Sequence, residues 1–164
     1  MPFSQRLAIF VDVQNMFYSA KHQHNARLNF ARLLEWVDRG RQLTRAVAYV
    51  VRSPEVDQSK FLNMLRGLGF EVKSKDLRIR ADGSAKGDWD MGIALDALVI
   101  ADRVDVICLV SGDGDFVDLV NLLQARGVRV EVYSFRPSTA EELIQAATEY
   151  YEIGPDLLMG ETSP

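Results

Sequence analysis

The sequence predicts a three-layer α/β/α fold built on a mainly parallel sheet of about five strands. Three observations carry that expectation. Short apolar runs alternate with amphipathic stretches along the chain, and such alternation makes parallel sheets because every parallel connection needs a crossover. Two of the runs, residues 7–11 (LAIFV) and 106–110 (VICLV), contain no polar residue, as expected of strands covered on both faces. The chain has 164 residues, the size of one ordinary domain, and no repeat, low-complexity tract or linker divides it. Residues 1–153 are therefore read as a single domain and 154–164 as a C-terminal tail.

The first strand, 7–11, ends on Asp12, and Met16, Phe17 and Tyr18 open a helical segment just after Asn15. Residues 19–28 are polar and include both histidines, His22 and His24. A spacing of two does not put these on one helical face and nothing nearby completes a ligand set, so they are read as surface residues. Phe30, Leu33, Leu34, Trp36 and Val37 recur at helical intervals, and Gly40 is a suitable stop. Residues 45–51 (RAVAYVV) make the second strand. Arg52-Ser53-Pro54 then turns the chain into a helix outlined by Phe61, Leu62, Met64, Leu65 and Leu68 and ended by Gly69.

Residues 70–73 alternate as a short, more exposed third strand. The segment 75–86 is locally basic, with Lys75, Arg78, Arg80 and Lys86; it is either a solvated loop or a contact for a phosphate backbone. Ile93, Ala94, Ala97, Leu98 and Ile100 give the next helix its core face. The fourth strand, 106–110, leads into a helix carrying Phe116, Val117, Leu119, Val120, Leu122 and Leu123, which ends before Gly127. Residues 128–133 make the last clear strand and 140–148 a helix, with Tyr150, Tyr151 and Ile153 as a short edge segment.

An apolar share of 48% and a charged share of 26% are those of a soluble globular protein. No apolar segment approaches the roughly 20 residues that span a bilayer, and the first residues lack the regions of a signal peptide, so a cytoplasmic location is expected. Cys108 is the single cysteine. It can form neither an internal disulfide nor a thiolate zinc site and reads as a small buried hydrophobe. The net charge of -4 argues against polyanion binding by bulk electrostatics, while leaving room for a local basic patch and for divalent cations. Trp36 is read either as core or as part of a face that would support a homodimer.

The chemistry lies in acids at strand ends. SGDGD, residues 111–115, packs two carboxylates and two glycines between a buried strand and a helix start, where open α/β sheets place their ligands. Helix capping would account for one acid, and the second adds like-charge repulsion. Asp12 stands in the same relation to the first strand. If the two strands are parallel neighbours, Asp12, Asp113 and Asp115 emerge at one rim. Asp90, at the exposed start of a helix, is a further candidate. Asp90 and Asp96 lie about 120° apart around a helix and do not both face one small ion, so Asp96 is a second choice, equally readable as a polar-face residue.

Crowded carboxylates repel one another and raise their pKa values, a problem that a hard divalent cation removes. Oxygen-only ligation selects Mg²⁺ or Mn²⁺, and such an ion activates water and neutralises charge on a phosphodiester, so hydrolysis of nucleic acid is the expected reaction. No Walker lysine motif, GxSxG, HExxH or GxGxxG is present to support rival α/β chemistries.

FVDVQN at 10–15, KGDWDMGIALD at 86–96, LVSGDGDF at 109–116 and GVRVEVYSF at 127–135 together resemble the successive motifs of NYN domains, especially the LabA-like group, within the PIN-like nuclease superfamily. The resemblance covers about residues 7–153 and rests on the order and spacing of the four motifs. It implies a PIN-like, Rossmann-like fold and a Mg²⁺- or Mn²⁺-dependent ribonuclease acting on RNA. Its acids fall on Asp12, Asp90, Asp113 and Asp115. Asn15 would orient an acid or a water, Ser111 would shape the turn, and Lys86 would meet a phosphate. One departure is the DWD spelling, in which Asp88 competes with Asp90 for the inward position. The alternative is a non-catalytic RNA-binding or regulatory module on the same fold, in keeping with an acidic chain that offers few aromatic platforms near its basic loop. A phosphatase with an aspartate nucleophile ranks last, because Gln14 stands where its second Asp belongs.

Overall fold

Side chains alternate across a strand, and in β1 (Arg6–Asp12) this sends Leu7, Ile9 and Val11 to one face of the sheet and Ala8 and Phe10 to the other. All five are at most 1% exposed, so this strand is covered on both sides. The computed structural model describes residues 4–79, 85–86 and 88–161, without the side chains at 78, 79, 85, 86 and 161. After β1 come α1 (Val13–His24), β2 (Ala26–Leu28), α2 (Phe30–Asp38), β3 (Gln42–Arg52), α3 (Ser59–Gly67), β4 (Glu71–Asp76), β5 (Arg78–Ile79) and β6 (Ala85–Lys86). The second half contains α4 (Asp90–Ile100), β7 (Val106–Val110), α5 (Val117–Ala125), β8 (Arg129–Ser134), α6 (Glu141–Ala146), β9 (Glu149–Glu152) and β10 (Leu158–Glu161).

Six strands form the central sheet in the order β4-β3-β1-β7-β8-β9, with every neighbouring pair parallel. Helices α1, α2 and α3 close one face, with Leu33, Leu62 and Leu65 in its apolar layer; α4, α5 and α6 close the other, with Ile93, Val120 and Leu143. From β1 the chain winds outward through β3 to β4, then returns to the other side of β1 and winds through β7 and β8 to β9. The winding reverses between β1 and β7, which is where a doubly wound sheet opens a crevice at its carboxyl rim. Val11 pairs with Val110, so Asp12 and Ser111 leave the sheet side by side.

The expected edge segment is present as a sixth sheet strand, β9, with Tyr150 opposite Val132 and Tyr151 opposite Tyr133. One expectation is corrected. Residues 154–161 are not a loose tail: Leu157 is buried, its carbonyl accepts from Asn29 N–H at 2.8 Å, and β10 pairs antiparallel with β2. Residues 19–24, polar in sequence, continue α1; its buried positions there are Ser19 and Ala20, too small to print an apolar period. Trp36 packs edge-on against Tyr133 and Tyr151, at ring separations of 5.2 and 6.1 Å, and serves the core.

Candidate metal centre

The loop after β1 is held by its own acid. Asp12 caps α1 by accepting from the Asn15 N–H at 3.2 Å, and its second oxygen accepts from the Ser111 hydroxyl at 3.1 Å. Asn15 reaches across in turn, its Oδ1 accepting from the Gly112 N–H at 3.0 Å. Ser111, fully buried, accepts from the Asp113 N–H at 3.2 Å, and Asp113 accepts from the Asp115 N–H at 2.9 Å. The loops after β1 and β7 are thus stitched into one surface, and the capping role of Asp12 and Asp113 is real. Among the described residues Asp115 caps no helix.

Two glycines allow the close approach on the far side of this turn. A Cβ on Gly112 would sit 2.9 Å from the Ser138 carbonyl oxygen, and one on Gly114 2.9 Å from the Ala140 Cβ. The Ala140 N–H donates to the Gly112 carbonyl at 3.0 Å, fastening the turn to the segment after β8.

α4 supplies the third side. Asp88 is exposed and accepts from the Asp90 N–H at 3.3 Å just ahead of the helix, while Asp90 lies with Asp113 and Asp115. Carboxylate oxygens of Asp90, Asp113 and Asp115 lie within 4.8 Å of one another. Burial, and then the charges of Asp113, Asp88, Asp12 and Asp115, push the Asp90 carboxyl up to about 7. Asp12 is also raised, first by burial, with Asp113 and Asp88 adding to it against the hydrogen bonds from Asn15 and Ser111. Among the described residues no cation pairs with any of these acids.

The remaining candidates divide. Asn15 and Ser111 lie in the hydrogen bonds that join the β1 and β7 loops. Asp96 is bonded elsewhere: it accepts from Tyr49 OH at 2.7 Å and Lys73 Nζ at 2.8 Å, and these bonds with the lysine charge hold its carboxyl low despite burial. The Lys86 side chain lies outside the described residues. What sequence reasoning missed is Trp89, next to the acids, whose indole N–H donates to the Val50 carbonyl at 2.9 Å and whose ring carries Lys75 Nζ at 4.5 Å. The basic segment therefore does have an aromatic platform beside it. The DWD spelling was the signal, since a Trp between two acids at a helix start has no capping use.

Three carboxylates within reach of one another, with only oxygen donors and, among the described residues, no counter-charge, suit a hard divalent cation and its waters. The sequence matches the NYN domain family over residues 6–154. The chain belongs to the NYN domain family. It is 31% identical over 157 residues to the low amplitude and bright protein LabA of Synechococcus elongatus, covering 90% of this chain and 83% of that protein. A crystal structure of a protein of unknown function from Vibrio parahaemolyticus shares 39% identity and superposes with a TM-score of 0.90, covering 97% of this chain and 99% of that one. NYN domains lie in the PIN-like nuclease superfamily and are usually nucleases, which supports a hydrolase at the level of class. Among the described residues no helix is long and apolar enough to cross a membrane.

Proposed function

We propose that this NYN domain is a Mg²⁺- or Mn²⁺-dependent ribonuclease that hydrolyses RNA phosphodiester bonds at its carboxyl rim. The observation that carries the reading is the convergence of Asp90, Asp113 and Asp115 from α4 and the β7 loop, with no cation paired to them among the described residues. These three would hold the ion, and Asp12 adds its charge while fixing Ser111. Bound there, the cation supplies Lewis-acid stabilisation of the phosphodiester and an activated water. The protein's own part is positional. Asn15 and Ser111 lock the two loops in register, and Trp89 tethers the start of α4 to the end of β3.

Asp12→Asn and Asp113→Asn, with folding checked by circular dichroism, are expected to lose at least about 100-fold in Mn²⁺-dependent cleavage of RNA. Full activity in both variants would reject the proposal. Metal-independent RNA binding by the wild type, with no cleavage across several substrates, would favour a non-catalytic RNA-binding module.

A further inference from the structure

Four cations stand on β3 and β4, and three of them are neutralised. Arg45 pairs with Glu71 at 2.8 Å, Arg52 with Asp76 at 3.0 Å and Lys73 with Asp96 at 2.8 Å. Lys75 pairs with no carboxylate among the described residues. Its ammonium lies over the Trp89 ring instead, 4.5 Å from the centroid, and the side chain stays partly exposed. A ring face attracts a cation but carries no net charge, so the ammonium keeps its own.

The sheet register places that charge relative to the acids. Asp12 is opposite Tyr49 and Tyr49 opposite Lys73, so the three form one row across β1, β3 and β4. Tyr49 and Lys73 both reach Asp96 on α4, and Lys75, two residues on, shares their face and stands further toward the carboxyl rim. Two strand spacings, roughly 10 Å, separate β4 from β1. Trp89 spans the interval. Its indole is bonded to the Val50 carbonyl, lies so close to Gly92 that a Cβ there would come within 2.6 Å, and immediately precedes Asp90. Past β8, on the other side of the acids, Arg136 is already paired with Glu141 at 2.8 Å.

We propose that Lys75, held on Trp89, binds a backbone phosphate beyond the scissile one, so that the RNA leaves the acid cluster across the start of α4 toward the β4 edge. The inference rests on the ribonuclease reading of the acids. Aspartates at the rim repel a polyanion, and a bound cation offsets that repulsion only where it sits. The phosphate next along the strand needs a positive charge of its own. An ammonium is a compact point charge suited to a phosphate, and the indole restrains its long side chain, so less freedom is lost on binding.

The test is the salt dependence of binding to a labelled oligouridylate, followed by fluorescence anisotropy in EDTA and in Ca²⁺, for the wild type, Lys75→Gln and Lys75→Arg. Lys75→Gln is expected to reduce the slope of log affinity against log salt by about 0.7, the loss of one phosphate contact on a single strand. Its affinity is expected to fall by up to about 5-fold, as for one exposed charge pair. Lys75→Arg is expected to keep the wild-type slope. Mn²⁺ affinity by isothermal titration is expected to stay unchanged in both variants, because Lys75 is no ligand of the ion. An unchanged slope in Lys75→Gln would overturn the proposal, as would no binding by the wild type in either buffer. A wild-type slope with Mn²⁺ affinity lowered in Lys75→Gln would also overturn it, leaving Lys75 as a support for Trp89 and Asp90. Cleavage in Mn²⁺ separates the two readings. Cleavage by the wild type with KM unchanged in Lys75→Gln removes the phosphate site alone, whereas the loss of slope without any cleavage keeps the phosphate site and removes the enzyme.

Discussion

Two groups of acids in this molecule are surrounded in opposite ways. Inside the sheet, Glu131 on β8 is 3% exposed and is gripped by Arg41 through two bonds of 2.9 Å, with Tyr133 donating at 2.6 Å and the Arg39 guanidinium forming an ion pair at 3.6 Å. Burial alone would raise its carboxyl, but the bonds from Arg41 and Tyr133 and the two arginine charges outweigh that and hold it low. At the rim, four aspartates gather with no arginine or lysine paired to them among the described residues, and the Asp90 carboxyl is pushed upward. An acid that serves the fold brings its counter-charge with it. Acids that crowd together without one are suited to a charge that arrives from solution.

The largest effect expected from that contrast is on stability. Arg41→Ala leaves the buried Glu131 with only the Tyr133 hydroxyl and the more distant Arg39 charge, and breaking a buried pair from one side costs up to about 3–5 kcal/mol, or roughly 10 °C in Tm for a domain of this size. Asp113→Asn and Asp115→Asn remove like charges from the rim and are expected to leave Tm unchanged or raised in metal-free buffer. Calorimetry of the three variants checks the pair. If Arg41→Ala melted with the wild type while the rim variants fell, the two regions would have exchanged roles.

A smaller effect is expected at Gly112, where the added Cβ would press on the Ser138 carbonyl oxygen. Gly112→Ala must displace either the Asp113 turn or the segment after β8, at a cost of about 1–3 kcal/mol. The sharper readout is Mn²⁺ affinity by isothermal titration, which is expected to fall because Asp113 and Asp115 move with the turn. Unchanged affinity alongside lowered stability would mean that the segment after β8 yields instead.

How much of this was legible beforehand follows from what each residue depends on. β1 and β7 were readable because burial on both faces leaves an unbroken apolar run, and their adjacency brought Asp12 beside Ser111 as the rim argument required. β2 and β10 were not, since strands of three and four residues, ARL and LMGE, carry no period to read. The acids at strand ends were legible by position. The sequence left Asp88 and Asp90 open, and it is Asp90 that lies within 4.8 Å of Asp113 and Asp115, a placement that spacing does not encode. The Arg41–Glu131 pair joins residues 90 apart, and the Lys73–Asp96–Tyr49 group draws on three separate elements, so neither leaves a local signal.

The smallest effect expected is the dependence of stability on pH at Asp90. Its folded pKa of about 7 lies above that of an unfolded aspartate, so between these values the folded state binds the extra proton. Metal-free stability therefore falls as pH rises from about 4 to about 7, the opposite of the contribution from Glu131, which is lost as pH falls. Asp90 is only partly buried, and solvent screening limits the change to about 1 kcal/mol, or about 2–4 °C. Asp90→Asn is expected to flatten this part of the Tm profile in EDTA. Added Mn²⁺ is expected to stabilise the wild type more at pH 8 than at pH 5, because the ion must displace the proton that Asp90 holds. Profiles that coincide for wild type and Asp90→Asn would show that the rim acids share their charge with solvent after all, and the contrast with Glu131 would then rest on the interior pair alone.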